Sequence, residues 1–527
     1  MKKLKIVFII AIYFTVIDYA FAQPQTEWVQ RYNSPGNYDD NVWDMAVDKS
    51  GNVYLTGYIS ISTANQDFVT IKYNTGGIQQ WVRYYDSPEH GEGKAGFIAV
   101  DDSGNVFVSG TSTNDYLTIR NNSNGDSLWK RRYQDGLTAS AMALDKQGNV
   151  YVTGNTISDD ILTIKYSNDG NLKWTKYYNG ISNGYDVSFS LSIDKNNIIY
   201  VIGGVTGKGG LIIKYDSIGT QLPLIIFPDF TPNKKILLDN SLNIYLGFDS
   251  YDGLSTRYDM GVAKLDSSGV FEWIRTYHNN STNNNDYVRD ICLDNFGNVS
   301  ITGLSADLGH LGWDIATIKY KSNGDTLWIK RYNPSQNSND EPSSITSDKY
   351  GNIYVTGSSD SGLFAKMITI KYSTNGLQEW KAYYNNNNPT NWHAGVKVLT
   401  DTLGNIYVSG RSLGNGTGVD IVTIKYSSIT NYQNLSSIIP KEFKLYQNFP
   451  NPFNPTTSIK FDIPSDNFVN IKVYNILGME VVTLINEFRK AGSYNVSFNG
   501  ANLSSGVYYY KIKSGEFEKV RKMMLIK

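Results

Sequence analysis

Residues 48–57 read Asp-Lys-Ser-Gly-Asn-Val-Tyr-Leu-Thr-Gly, and the pattern D-x-x-G-N-[VI]-Y-[VL]-[TS]-G returns, with some variation, at Asp101, Asp145, Asp294, Asp348 and Asp401. Degenerate copies at Asp194 (DKNNIIYVIG) and Asp239 (DNSLNIYLGF) bring the number to eight, spaced 44 to 55 residues apart. Self-similarity at such a period outranks local propensity as a fold signal, because each repeat buries its apolar face only against its neighbours. Asp is placed to accept hydrogen bonds from the turn amides and Gly to take the positive-φ position, while the residues that follow alternate as a strand does. A calcium loop needs more oxygen ligands than D-x-x-G-N supplies, so these turns are read as structural.

A second motif, T-I-K-Y, ends at Tyr73, Tyr166, Tyr320, Tyr372 and Tyr426, with altered copies ending at Asn121, Tyr215 and Leu265. Eight residues on stands a Trp, at Trp81, Trp129, Trp174, Trp273, Trp328 and Trp380, each followed four residues later by Tyr. Copy four has Pro223 instead, with Phe227 at the second aromatic position. Each copy resolves into four short strands; in the first they are 42–48, 52–59, 67–73 and 78–85. Four strands per period of about 50 residues is the mark of propeller blades. A Trp-x-x-x-Tyr pair puts two rings on one strand face, where docking neighbouring blades is their expected role.

The eighth copy lacks its Trp strand, with Asn434 at the expected position, and Trp28 and Tyr32 supply the missing pair ahead of the first copy. The N-terminal strand is therefore expected to pair with residues 420–426 and close a ring, leaving no open blade face. The expected architecture is all-β: an eight-bladed β-propeller (23–430) closed by an N-terminal strand, a linker (431–445) and a small Ig-like β-sandwich (446–527).

Composition agrees with pleated sheets and tight turns. Apolar residues make up 40% and charged residues 18%, with 39 Tyr, 47 Gly, 14 Pro and one Cys. With 48 basic against 49 acidic residues, the chain offers no electrostatic footprint to a phosphate backbone, so nucleic acid is not an expected partner. Cys292 has no partner for an intrachain disulfide. Lys2, Lys3 and Lys5, the apolar run 6–17 and Ala20-Phe21-Ala22 predict a cleaved signal peptide over residues 1–22. No other segment is apolar enough to suggest a membrane span in the mature chain.

The repeats resemble bacterial SBBP-type β-propeller repeats over residues 24–430, a likeness that implies fold and not activity. The stretch K-Y-x-x-x-G-x-x-x-W also resembles the blade repeat of pyrroloquinoline-quinone dehydrogenases. Many of those carry adjacent cysteines under the quinone, and this chain has one Cys, so no cofactor is expected.

After Tyr426 the repeats stop. A polar stretch (427–437) and Pro440 lead to YQNFPNPFNPTTSIKFDIP from Tyr446, whose prolines set an extended opening segment, followed by alternating runs at 470–474, 480–484, 494–498 and 507–512. The segments 446–455, Ile471–Asn475 with Gly478, Leu503–Tyr508 and 522–527 resemble the type A sorting domain of the type IX secretion system. That resemblance implies Sec export, passage through the outer membrane by the type IX machinery, and a surface-attached or released protein.

In a four-strand meander the turns after strands one and three share one face, and the other connections share the opposite face. The second set is long and varied here, as at 86–96, 278–287, 333–342 and 385–394, and variable loops on a rigid scaffold are where recognition resides. Asp40, Asp186, Asp286 and Asp340 recur eight residues before the blade Asp, at the expected mouth of the central channel. With Trp392 they are the candidate ligand-binding residues, although capping the turn is the commoner role of such aspartates. His90, His278, His310 and His393 fall in loops of different blades without metal-ligand spacing, so no metal site is expected. The expected function is non-enzymatic binding of a polysaccharide or another envelope component. The alternative is a secreted carbohydrate-active enzyme, whose carboxylate pair would be assembled from distant sequence.

Overall fold

The computed structural model describes residues 24–526 apart from 63–64, 88–90, 181–183, 207–208, 228–232, 252–257, 280–284, 307–311, 335–337, 361–363, 387–391, 431–439, 490 and 501–502. The segment read as a signal peptide and most of the linker lie outside the described residues. The chain divides into two compact units, 1–428 and 429–527.

All regular structure among the described residues is β. Among the described residues the first unit holds eight four-stranded antiparallel sheets. The first sheet runs Asp40–Val47, Val53–Ser60, Gln66–Tyr73, Gln79–Tyr85, and the next six follow the same order of neighbours. The eighth is composite: His393–Thr400, Ile406–Leu413 and Val419–Thr430 are joined on their outer edge by Pro24–Tyr32.

The ten-residue motif is a self-contained hairpin. In the seventh sheet, Asp348 Oδ1 accepts the amides of Tyr350 and Asn352 at 2.9 and 3.0 Å. Its Oδ2 accepts Asn352 Nδ2 at 2.8 Å and the Tyr354 hydroxyl at 3.0 Å. One carboxylate thereby satisfies four donors, which is why Asp, Asn and Tyr recur at fixed offsets.

Sheets dock through the Trp strand. The Trp81 indole N–H donates to the Ser123 carbonyl of the next sheet at 3.1 Å, and Trp129, Trp273 and Trp328 make the same bond to Asn168, Ser322 and Thr374 at 2.8, 3.0 and 3.0 Å. Each ring lies on the glycine of the next sheet's last turn, where a Cβ would come within about 2.6–2.8 Å of the indole. Burying about 200 Å² of indole stabilises each junction by about 5 kcal/mol as an upper bound. In the fourth sheet, which lacks the Trp, Ile225 lies against Gly269, and Phe227 packs on Phe271 at 5.5 Å.

Trp28 and Tyr32 sit in one core cluster with Val42, Met45, Val53 and Ile71 of the first sheet and Tyr407 and Ile421 of the eighth. Arg31 pairs with Asp420 at 2.5 Å, repeating the fourth-to-third-strand link of Arg132 to Asp115 at 2.6 Å and Arg331 to Asp314 at 2.5 Å.

The second unit has a three-stranded sheet (Lys444–Leu445, Thr456–Ile463, Gly492–Asn499) and a four-stranded sheet ordered Glu480–Arg489, Asn467–Tyr474, Gly506–Ser514, Phe517–Leu525. Both contribute to one core that includes Ile459, Phe461, Val469, Ile471, Tyr510 and Met523. Buried Asn448 ties down the proline-rich opening, its Nδ2 donating to Pro450 O at 3.1 Å and Thr457 Oγ1 at 2.9 Å.

Candidate binding site

The site begins with a defect in the sheets. In seven of the eight sheets seen among the described residues the first strand carries an extra residue relative to the second, at Trp43, Gly96, Ser140, Phe189, Arg289, Ser343 or Val396, and the third sheet has a further one at Leu137. Such a bulge leaves one residue unpaired and re-aims its side chain. The last glycine of the ten-residue motif faces it. A Cβ on Gly57 would sit 1.8 Å from the Asn41 carbonyl oxygen, and one on Gly357 2.0 Å from that of Glu341. The glycine ending the motif in those seven sheets is therefore required by close backbone approach, and the fifth copy, which has no bulge, ends in Phe248 instead.

The residue after the bulge locks one first strand to the next. Asp44 accepts the Ile98 amide at 3.2 Å, Asp290 accepts Ile345 at 3.1 Å, and Ser344 accepts Val398 at 3.4 Å. Lys397 of the eighth sheet pairs with Asp44 of the first at 3.1 Å, and Lys235 with Asp290 at 3.0 Å. Burial opposes ionisation of Asp290, but neighbouring Lys235 and Lys397 and the Ile345 amide hold its carboxyl below the usual range. These groups line a cavity of about 260 Å³ with Cys292, whose thiol burial pushes up to about 12, away from the thiolate form.

On the other side of the bulge the first strands open into a larger cavity of about 680 Å³. The bulge residues Trp43, Arg289, Ser343 and Val396 line it, together with Glu341, Asp360, Phe364, Trp392 and Arg411. It belongs to the first, sixth, seventh and eighth sheets and lies at the strand ends that receive the long, varied connections. Trp43 and Trp392 remain 45% and 39% exposed, and Phe364 37%. The Arg411 guanidinium lies 4.9 Å from the centre of the Trp43 ring.

The structure places the sequence-derived candidates unequally. Trp392 lines the large cavity. Asp40, Asp186, Asp286 and Asp340 do not line it; they are buried at the start of their strands. Asp40 accepts the Ser34 amide and hydroxyl at 2.5 and 2.6 Å, Asp186 the Gly180 amide, Asp286 the Asn279 amide at 3.0 Å, and Asp340 the Ser338 hydroxyl at 3.0 Å. Each fastens the connection arriving from the preceding sheet. Burial outweighs these bonds and pushes the carboxyls of Asp40 and Asp340 up to about 6. His393, read from the sequence as a loop residue, instead opens a strand at the same position, buried, with Nδ1 2.7 Å from Ser412 Oγ. Among the described residues no His, Cys, Asp and Glu cluster has the makings of a metal site.

Sequence reasoning missed Trp43, Arg289, Glu341 and Arg411. The available signal was the odd residue breaking strand alternation between Asp40 and Asp48, and its equivalents.

The family models match in the two places where the structure divides. The β-propeller repeat model matches residues 27–62, 132–161 and 327–365, and the secretion system C-terminal sorting domain matches 447–527. The chain carries SBBP-type propeller repeats followed by a C-terminal sorting domain of the type IX secretion system, and with it a signal for export. No curated protein matches the sequence.

Among solved structures, the β-propeller domain of the Trilobed protease from Pyrococcus furiosus is similar at 8% identity and a TM-score of 0.39, over 66% of this chain and 96% of that one. The BP39L lectin from Burkholderia pseudomallei is similar at 10% identity and 0.41, over 69% and 99%. Prolyl oligopeptidase B from Galerina marginata is similar at 8% and 0.44, over 71% and 55%. Likenesses at this level carry no argument about function. Among the described residues no helix is long and apolar enough to cross a membrane.

Proposed function

We propose that residues 24–428 form a closed eight-bladed propeller, exported through the type IX system to the cell surface or beyond it, that binds a polysaccharide or another envelope component without transforming it. The C-terminal unit is then an Ig-like sandwich that acts as the sorting signal read by the type IX machinery. The observation that carries the binding reading is the 680 Å³ cavity with Trp43 and Trp392 half-exposed in its lining. Flat apolar rings with a few polar groups around them suit the C–H faces and hydroxyls of sugar rings. The test is retention of a polysaccharide panel by the purified mature protein, with Trp43→Ala and Trp392→Ala as controls. Retention without product supports binding, and new reducing ends overturn the non-enzymatic reading. One observation favours the enzymatic alternative: Glu341 and Asp360 line the same cavity and could act as a carboxylate pair. Loss of those reducing ends in Glu341→Gln and Asp360→Asn would assign the chemistry to them.

A further inference from the structure

Arginines among the described residues are almost all spoken for. Arg31, Arg132 and Arg331 pair with Asp420, Asp115 and Asp314 inside their sheets. Arg83, Arg131 and Arg275 donate to the turn carbonyls of Gly125, Gly170 and Gly324 in the next sheet at 2.6–2.8 Å. The two arginines of the large cavity differ. Among the described residues neither Arg289 nor Arg411 takes part in an ion pair, and Arg411 Nε is buried without a hydrogen-bond partner. A guanidinium is costly to desolvate without an acceptor, and burial already draws the Arg411 pKa below its ordinary value. Its aromatic support is Trp43, and the bulge that exposes Trp43 recurs in the sixth sheet to expose Arg289.

Resting on the saccharide reading above, we propose that the cavity selects a uronic-acid unit of a polysaccharide, with the sugar carboxylate held by Arg411 and Arg289 and the ring face held against the tryptophans. A planar carboxylate matches the guanidinium fork and supplies the acceptors that Arg411 Nε lacks. Glu341, which likewise has no ion pair among the described residues, accepts hydrogen bonds from ring hydroxyls. The formal charges around the cavity balance, Arg289 and Arg411 against Glu341 and Asp360. A site of that balance suits one carboxylate per unit among many hydroxyls, not a densely charged track such as a sulfated polymer or a nucleic acid presents.

The test is affinity electrophoresis and calorimetry of the mature full-length protein with polygalacturonate, alginate and hyaluronate as uronate probes. Methyl-esterified polygalacturonate, a neutral β-glucan and a sulfated galactan complete the panel. The expected result is binding of at least one uronate polymer and no binding of the neutral or sulfated ones. Where polygalacturonate is the polymer bound, its methyl ester is expected not to bind. Arg289→Gln and Arg411→Gln are each expected to weaken binding by about tenfold or more, as loss of a charged hydrogen-bond donor does. Arg289 is exposed, so its variant reports on binding even where Arg411→Gln disturbs folding. Binding of neutral, esterified or sulfated polymer as tight as that of uronate overturns the carboxylate assignment and leaves the glycan reading standing. Retention of no polymer overturns both, and unchanged affinity in both arginine variants removes the residues named here.

Discussion

The indole N–H of Trp28 donates to the backbone carbonyl of Thr75 at 3.0 Å, although the two residues belong to the eighth and first sheets. It is the same bond that Trp81 makes to Ser123 between the first and second sheets, so the N-terminal strand meets the first sheet through the ordinary junction of the array. Trp28 is 9% exposed, and its ring occupies the space a Cβ on Gly77 would need. Replacing it with Ala is expected to cost about 3–5 kcal/mol, as for other buried aromatics. Urea unfolding of Trp28→Ala beside Trp81→Ala measures this. A much smaller loss at Trp28 would mean that the ends are not held by this junction.

Gly357 lies opposite the bulge that carries Ser343, with the Glu341 carbonyl oxygen 2.0 Å from where a Cβ would be. Gly357→Ala is therefore expected to destabilise by about 1–3 kcal/mol or more, because two backbones have to part. It should also weaken ligand binding, since Glu341 and Ser343 line the cavity. Gly416→Ala, where the added methyl meets nothing within 4 Å, is the control for crowding, although its φ of +87° adds strain of its own. Equal thermal midpoints for Gly357→Ala and the unaltered protein would contradict the close approach.

Asp40 and Asp340 predict a pH dependence. Their folded pKa of about 6 stands above the ordinary 3.8, so the folded chain binds their protons more tightly than the unfolded chain does. Each contributes stability that is fully present below about pH 4 and lost as pH rises through about 6. Asp40→Asn, which carries no titrating group, is expected to gain relative to the unaltered protein between those limits. Urea midpoints of both proteins at several pH values across the window show it. A difference that does not change with pH would mean that Asp40 keeps an ordinary pKa.

The two units have separate cores, one set between sheets and one around Ile459, Ile471 and Tyr510. A chain ending at Ser428 is expected to keep the thermal midpoint of the first unit while failing to reach the cell surface. Calorimetry and surface labelling of the truncated protein test the two halves of that statement. An insoluble product, or undiminished surface delivery, would assign the second unit a structural role instead.

Much of this architecture is written in local chemistry. Asp48, Gly51, Asn52 and Tyr54 satisfy one another within a single hairpin, so their repetition reports a repeated hairpin without help from the rest of the chain. Trp28 was legible from the repeat count instead: an orphan Trp-x-x-x-Tyr strand at one end matched a missing one at the other. The cavity was not legible. Trp43, Arg289, Glu341 and Arg411 come from four strands in four sheets, and two of them reach the cavity only because a bulge re-aims them. A bulge is a property of the register between two strands, which period-2 reading of one strand does not contain. The four aspartates show the converse: equal places in the repeat suggested a shared rim, whereas tertiary burial turned each carboxylate toward the connection before it. Sequence alone thus determined the blade and the number of repeats, because hydrogen bonds a few residues apart encode the recurring hairpin, and it marked the export module by likeness to known sorting domains. Tertiary structure decided which side chains meet at the cavity, because that depends on strand register and on how eight sheets pack about one another.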